Sequence, residues 1–283
     1  MCLTCGKHNA HKLWYLEPEK HRIRAMGLAR EIVNHNLHAF IVAGLKMVKS
    51  KAPDYVDRSL GFVNRTLLNW FAKTLHGMQA LPDAESAFQI IDLANEMALM
   101  PCLCHHVMEP DDEPKWRCIA MNMAAEIYFR DTTEQEVRPI SKEQAKELVV
   151  SWRERGAFQS VGWLWDANVI WLCNCDSYCA SIRAPEVAWG GVPSFVVSIP
   201  LRIEDCIGCG VCMEWCPKPG ALTFDDQQRV VVDEALCKGC GLCVEHCPQD
   251  VLGFKPREQY YDVWTKSARH LGDAVISVDE LTG

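Results

Sequence analysis

The sequence from Cys206 to Pro217 reads CIGCGVCMEWCP, and the sequence from Cys237 to Pro248 reads CKGCGLCVEHCP. One pattern therefore occurs twice, with its first cysteines 31 positions apart, as in a duplicated supersecondary unit. Both copies have the spacing C-x2-C-x2-C-x3-C-P, and the glycines between the cysteines let the backbone turn tightly. The repeat predicts a separate C-terminal domain over residues 198–256.

The cysteine spacing of the repeat is typical of iron–sulfur ligands. In this spacing the first three thiolates bind one cluster and the fourth binds the other cluster of a pair. Zinc sites rarely combine three evenly spaced cysteines with a following Cys-Pro, so two zinc knuckles are the poorer interpretation. We predict two 4Fe-4S clusters, the first held by Cys206, Cys209, Cys212 and Cys247 and the second by Cys237, Cys240, Cys243 and Cys216.

These motifs resemble the bacterial-type ferredoxins with two 4Fe-4S clusters, over about 55 residues and at all eight ligand positions. The resemblance implies a ferredoxin-like module that relays single electrons at low potential between two neighbouring clusters. It identifies neither end of the relay and says nothing of the first 197 residues.

Composition and charge limit the kinds of partner and the cellular location expected for this chain. The chain has 29 Lys and Arg against 37 Asp and Glu, a net charge of −8, so a nucleic-acid partner is not expected. We find no signal-like segment and no run of about 18 uncharged apolar residues, which predicts a cytoplasmic protein without a membrane span. Residues 198–256 carry nine acidic and five basic side chains, which predicts a redox partner with a basic docking surface.

Eight of the sixteen cysteines lie outside the repeat. Six of them occur at short spacings or between such groups, which in a reducing compartment favours metal ligation over disulfides. We predict an additional iron–sulfur cluster whose four ligands come from Cys102, Cys104, Cys118, Cys173, Cys175 and Cys179. Zinc is the alternative metal, and ordinary buried thiols are the alternative without metal. Cys2 and Cys5 are candidate ligands of a further N-terminal metal site.

The elements Pro101-Cys-Leu-Cys104 and Cys173-Asn-Cys175 make the N-terminal part similar to a group of Cys-rich 4Fe-4S-binding proteins. That group carries Pro-Cys-x-Cys-Arg and Cys-Asn-Cys elements ahead of a ferredoxin module, and the similarity implies an additional cluster here. Two positions depart from its pattern, with His105 in place of a frequent Arg and Asp176 in place of a frequent Cys. His105 and His106 are weaker candidates for a neutral metal ligand or a proton donor beside a cluster, and we expect them to be exposed loop residues.

Apolar residues at three-and-four spacing predict helices in the first 197 residues. We expect four: residues 23–48, 56–75, 84–99, and a segment that begins at a Ser141–Gln144 capping box and ends at Gly156. Residues 161–173 predict a hairpin with its turn at Asp166–Asn168. The expected fold class is α+β: a mainly helical Cys-rich domain at 1–197, the ferredoxin-like module at 198–256, and a tail at 257–283.

The cysteine patterns together favour an iron–sulfur electron-transfer protein. We expect it to relay electrons through the two repeat clusters to or from the additional cluster, as partner or subunit of an oxidoreductase of anaerobic metabolism. One alternative is a reductase whose N-terminal cluster binds and reduces a small substrate; another is an interaction protein with structural zinc. No dinucleotide fingerprint supports flavin or nicotinamide, and whether the chain is an enzyme stays open.

Overall fold

A computed structural model describes residues 14–16, 18–21, 76–108, 115–131, 137–164, 168–177, 179, 191–192, 194 and 196–256. Within these residues the helices are α1 (Ala84–Leu93), α2 (Leu103–Met108), α3 (Met123–Asp131), α4 (Lys142–Arg153), α5 (Val211–Glu214) and α6 (Leu242–Glu245). The strands are β1 (His76–Ala80), β2 (Met97–Pro101), β3 (Trp116–Met121), β4 (Arg138–Pro139), β5 (Phe158–Leu164), β6 (Asn168–Cys175), β7 (Gly191–Val192), β8 (Val196–Pro200), β9 (Leu222–Phe224), β10 (Val230–Val232) and β11 (Leu252–Pro256).

Seven strands form one sheet in the order β4-β2-β3-β6-β5-β1-β7. Neighbouring strands are antiparallel, apart from the parallel pair β1 and β7. The central strands are buried on both faces, so apolar residues pack in two layers. On β3, Cys118 and Ala120 face one layer, whereas Ile119 and Met121 face the layer that α1 and α4 complete.

The expectation of a mainly helical N-terminal part is wrong for the described residues. Helix α1 begins as predicted, since the Asp83 side chain accepts a hydrogen bond of 2.7 Å from the Ser86 amide. It ends at Leu93, and the predicted last turn is instead strand β2. Strands buried on both faces are near-continuous apolar runs, which periodicity cannot separate from a buried helix.

Other local predictions agree with the described structure. The capping box at Ser141 and Gln144 begins α4, and Gly156, with φ of +85°, follows its end. Strands β5 and β6 pair antiparallel as the predicted hairpin. The α+β class is confirmed by the mixture of helices and antiparallel sheets. The predicted helices at 23–48 and 56–75, the centre of the hairpin turn at 165–167, and the tail at 257–283 lie outside the described residues.

The repeat forms a compact unit of short elements. Strands β8 and β11 pair antiparallel, as do β9 and β10. Helices α5 and α6 each contain the third cysteine of their copy and begin after a left-handed glycine, Gly210 at φ +79° and Gly241 at φ +76°. A small apolar core of its own includes Leu222, Val230 and Leu252. The two copies therefore adopt closely similar local conformations.

The surroundings of the two copies differ. A Cβ at Gly210 would meet no atom within 4 Å, but a Cβ at Gly241 would overlap the carbonyl oxygen of Pro82. A Cβ at Gly239 would likewise overlap the carbonyl oxygen of Val196. The second cysteine loop is thus packed against the chain that precedes the repeat, while this part of the first loop is open.

This difference predicts unequal effects for two equivalent substitutions. Gly241→Ala and Gly210→Ala both place a side chain at positive φ, which costs about 1 to 2 kcal/mol. Only Gly241→Ala also forces the loop away from Pro82, so we expect it to lower the thermal midpoint several degrees further than Gly210→Ala does. Thermal unfolding of the two purified variants measures this, and equal midpoints would contradict the packing of the second loop.

Candidate iron–sulfur sites

The first repeat copy and the last cysteine of the second line one cavity. Its cysteines are Cys206, Cys209, Cys212 and Cys247, and the space between its lining residues, including its opening to solvent, is about 310 Å³. Phe224, Val230 and Val251 give it apolar walls. Three neighbouring thiols of the first copy and one thiol of the second copy therefore face one space.

The second cavity has the complementary cysteines. It is lined by Cys216, Cys237, Cys240 and Cys243, and the space between its lining residues, including its opening to solvent, is about 320 Å³. Ser198 and Lys238 also line it, and the Cys243 thiol donates a hydrogen bond of 3.4 Å to the Ser198 hydroxyl. The Gly239 amide donates to the Cys237 sulfur at 3.3 Å. Each cavity thus gathers three cysteines of one copy and the fourth cysteine of the other.

Burial distinguishes the two cavities. Cys209 in the first cavity is exposed, whereas Cys237, Cys240 and Cys243 in the second are all buried. Burial raises the pKa of the Cys240 and Cys243 thiols to about 12 and that of Cys216 to about 11. Metal ligation requires the thiolate, so occupation of the second cavity must release protons from these groups.

The donor set of both cavities fits a thiolate-bound cluster. Each has four sulfurs and no carboxylate in its lining, the set that iron–sulfur clusters use. Residues 201–253 match the family model of the 4Fe-4S dicluster domain. Comparison with curated proteins and with solved structures found no match to the chain. The C-terminal part is therefore a ferredoxin-type 4Fe-4S domain, and iron–sulfur electron transfer is its function.

The dicluster domain is joined to the sheet by Arg153, the last residue of α4, which is 5% exposed. Its Nε donates to both carboxylate oxygens of Glu245, at 2.9 and 2.7 Å. A second guanidinium nitrogen donates to the carbonyl oxygens of Cys240, at 2.9 Å, and Pro82, at 3.2 Å. One side chain thus binds both a helix and a cysteine loop of the second copy.

The six cysteines predicted as a group upstream of the dicluster domain do converge. Cys102 begins the turn into α2, and its sulfur contacts those of Cys104, Cys118 and Cys179. Cys118 and Cys173 are cross-strand partners on β3 and β6. Cys175 contacts Cys179 and lies 3.0 Å from the Ser160 hydroxyl. The turn from β2 into α2, strand β3, and the end of β6 therefore bring all six thiols to one face of the sheet.

The pKa values of these thiols shift in opposite directions. Hydrogen bonds from Cys104, Cys118 and Cys179 lower the pKa of Cys102 well below its ordinary value, and Arg117 adds to the effect. The donated bond to Cys102 and burial raise the pKa of Cys118. Burial, and then the charges of Cys118 and Cys173, raise the pKa of Tyr128, which stands beside them. The centre of the group favours one thiolate at Cys102.

A buried cation accompanies the six thiols. Arg117 is 1% exposed and donates hydrogen bonds to the Cys179 sulfur at 3.2 Å and the Cys102 sulfur at 3.8 Å. It also donates to Asp176 at 2.6 Å. Burial lowers the pKa of Arg117, but the bond to Asp176 and the nearby thiolates outweigh it and hold the pKa above its ordinary value. The guanidinium therefore stays charged.

The expectation of an exposed His105 is wrong, although His106 is exposed. His105 is buried on α2, and its Nε2 lies 3.1 Å from an Asp176 carboxylate oxygen. The two departures from the Cys-rich pattern thus touch each other, and both belong to the Arg117 ion-pair network. The dicluster match does not extend to this part of the chain, so the N-terminal resemblance has no support from the comparisons.

A line of hydrogen bonds links the two cysteine-rich regions. Arg153, bonded to the Cys240 carbonyl, donates to Gln159 at 2.7 Å. Gln159 donates to Asn174 at 2.9 Å, and Asn174 donates to the Arg117 carbonyl at 2.8 Å. Gln159 and Asn174 are fully buried, so these bonds are shielded from water.

Sequence reasoning missed Arg117 and Arg153. Arg117 precedes Cys118 within an otherwise apolar strand, a signal of a paired buried charge. No comparable signal marks Arg153, which is an ordinary basic residue in the last turn of a helix. Cys2 and Cys5 lie outside the described residues.

Two features are absent from the described residues. In this part of the chain, no three His, Cys, Asp or Glu side chains are arranged to hold a single metal ion. Nor does any helix there have the length and apolarity needed to cross a membrane.

Proposed function

We propose that this chain relays single electrons between a redox partner and an additional cysteine-ligated cluster in its N-terminal part. The clusters of the dicluster domain supply the one-electron carriers of that relay. The observation that carries the proposal is the position of Cys240. This cysteine lines the second cavity and belongs to the same apolar core as Cys102, Cys118, Cys175 and Cys179.

We assign crossed ligand sets to the dicluster domain. The first set is Cys206, Cys209, Cys212 and Cys247, and the second is Cys216, Cys237, Cys240 and Cys243. The two cavities support this assignment, since each is lined by one complete set. Burial raises the pKa of Cys212, and the charges of Cys247, Cys209 and Cys206, the other three members of its set, add to the rise.

The six upstream cysteines supply more thiols than the four ligands that one 4Fe-4S cluster needs. We assign Cys102 as one of the four, since it contacts three other cysteine sulfurs. Arg117 supports an anionic centre here, because a buried negative charge requires a nearby cation and hydrogen-bond donors. A buried, dry site also strengthens the interaction between guanidinium and sulfur.

Of the second ligand set that we propose, Cys240 lies in the core that also holds the upstream cysteines. Leu242 and Trp215 of the domain pack into the core that holds those cysteines. Arg153 fixes this contact through Glu245 and the Cys240 carbonyl. We therefore propose that electrons pass between the second cavity and the N-terminal group, and that residues 1–197 and 198–256 function as one unit.

Substitution of the fourth cysteines tests the crossed assignment. Cys247→Ser should remove the solvent-facing cluster and leave the buried one, whereas Cys216→Ser should do the reverse. Both variants should lose about four irons per chain. The measurement is iron content followed by the rate at which a water-soluble iron chelator removes the remaining dicluster iron anaerobically.

The two variants control for each other because each loses one ligand. We expect the dicluster iron of Cys247→Ser to resist the chelator and that of Cys216→Ser to be released faster, since Cys209 is exposed and Cys240 is buried. The opposite order of release would show uncrossed ligation. Retention of all iron in either variant would remove that cysteine from the ligand sets.

A further inference from the structure

The side of the dicluster domain around Cys209 exposes an unusual set of apolar side chains. Ile207 is 64% exposed, Leu201 is 59% exposed, and Met213 is also exposed. Ile207 lines the first cavity together with Cys206 and Cys209, and Met213 directly follows the cavity-lining Cys212 in sequence. Large exposed apolar side chains that cluster on one face mark an interaction site.

Acidic side chains accompany the apolar ones. Glu204, Asp205 and Glu214 are all exposed next to the cavity-lining loop. Asp205 lies 3.9 Å from the half-exposed Arg202, a weak surface pair. Glu204 and Glu214 form no ion pair with any side chain in the described ranges. We call the surface formed by Leu201, Glu204, Asp205, Ile207, Cys209, Met213 and Glu214 the Cys209 face.

The second repeat copy uses the equivalent positions differently. Lys238 corresponds to Ile207 and is 3% exposed. Glu245 corresponds to Glu214 and is bonded to Arg153. In the second copy one of these positions is thus buried and the other is engaged in an ion pair at the junction, whereas in the first copy both are exposed and Glu214 forms no ion pair within the described residues. The Cys209 face is therefore accessible to a second protein.

We propose that the Cys209 face docks a redox protein whose one-electron centre is surrounded by basic side chains. This inference rests on the proposed function and adds to it the place where electrons enter or leave. One electron passes between the cluster in the first cavity and the partner's centre, with no bond formed and no proton moved. The buried second cavity then connects this entrance to the N-terminal cysteines.

The negative charge of the Cys209 face favours a basic protein over the other possible binding partners. Anionic lipid and nucleic acid are repelled by the acidic residues of the face and by the net charge of −8. A second copy of the chain would place the same acidic residues against one another. A basic rim instead pairs with Glu204, Asp205 and Glu214, while Ile207 and Met213 bury apolar area beside the cluster.

Cytochrome c, a basic one-electron acceptor, is a suitable probe. The chain is reduced anaerobically, and the second-order rate of cytochrome c reduction is measured at several ionic strengths. The test variant is Glu204→Lys/Asp205→Lys/Glu214→Lys. The matched control is Glu85→Lys/Glu96→Lys/Glu147→Lys, which makes the same charge change at exposed positions of the N-terminal part.

At low salt we expect the test variant to react at least tenfold more slowly than the unmodified chain, and the control within about threefold of it. Raising the salt concentration should lower the reduction rate of the unmodified chain, so that the rates of the unmodified chain and the test variant become similar. Equal slowing of both variants, or slowing of neither, would overturn the Cys209 face as the docking site.

The neutral variant Ile207→Ser tests the apolar part of the face. We expect a weaker complex with cytochrome c, measured as a severalfold higher half-saturating concentration, with an unchanged dependence on salt. Unchanged half-saturation would exclude Ile207 from the contact and overturn the apolar part of the proposal. Iron content and the spectrum of the reduced clusters are recorded for every variant: absent clusters would refute the proposed function, whereas intact clusters with unchanged kinetics would refute only the docking site.

Discussion

Arg153→Ala is expected to destabilise the protein by about 3 kcal/mol, because loss of the buried guanidinium leaves the buried acceptors of Gln159 and Cys240 without their donor. The lost bonds are those to Glu245, Gln159 and the carbonyl oxygens of Cys240 and Pro82. For a chain of this size the thermal midpoint should fall by about 5 to 10 °C. The second cysteine loop should open, so an iron chelator should remove more iron, and faster, than from the unmodified chain.

Arg202→Ala is the matched control for Arg153→Ala. Arg202 also donates to carbonyl oxygens of a cysteine loop, those of Gln249 at 3.1 Å and Asp250 at 2.9 Å, but its side chain is half exposed. We expect a cost below about 1 kcal/mol. Arg153→Lys should be intermediate, because an ammonium keeps the charge and cannot reproduce the planar fork. If the Arg153 and Arg202 alanine variants had equal midpoints and chelation rates, Arg153 would not hold the junction.

The fold of the dicluster domain could be predicted from sequence because its spacing rule is local. Ligand spacing, glycines and the 31-residue repeat lie within a short stretch, and each restricts the backbone directly. The sheet could not be predicted in this way. Met97–Met100 is a continuous apolar run, and a run of that kind fits either a buried strand or the end of a helix.

For the upstream cysteines, too, the sequence predicts the residues but not their arrangement in space. Their grouping as chemistry-bearing residues followed from count and spacing, and the contact of Cys102 with Cys118 and Cys179 brings the groups together. Their geometry depends on the pairing of β3 with β6, which joins residues 55 positions apart at Cys118 and Cys173. Arg153 is a still clearer case, because its partners Gln159, Cys240 and Glu245 are known only once the two parts of the chain are packed together.

Cys102→Ser should remove the additional cluster and leave both dicluster clusters in place. Cys102 contacts three of the other five thiols and accepts a hydrogen bond from Arg117, so its loss should leave no complete ligand set. Iron should fall by about four per chain, from about 12 to about 8. Loss of a metal link between Cys102 and Cys173, some 70 residues apart, should also lower stability by about 4 kcal/mol.

The remaining five single serine variants at this site are the controls for Cys102→Ser. Since one cluster takes four ligands, we expect three more of them to lose the same iron and two to keep it. The two that keep iron show that a serine in this group does not by itself prevent folding. The chelator-resistant iron of the second cavity, measured in each variant, shows that the dicluster domain is intact.

The most direct test is iron, acid-labile sulfide and zinc per chain in anaerobically purified protein, compared with Cys102→Ser. The relay through an additional cluster predicts about 12 irons and 12 sulfides with no zinc in the unmodified chain, and about 8 of each in the variant. About 8 irons in both proteins, with or without one zinc, would contradict the additional cluster and leave the dicluster domain as the sole electron carrier described here.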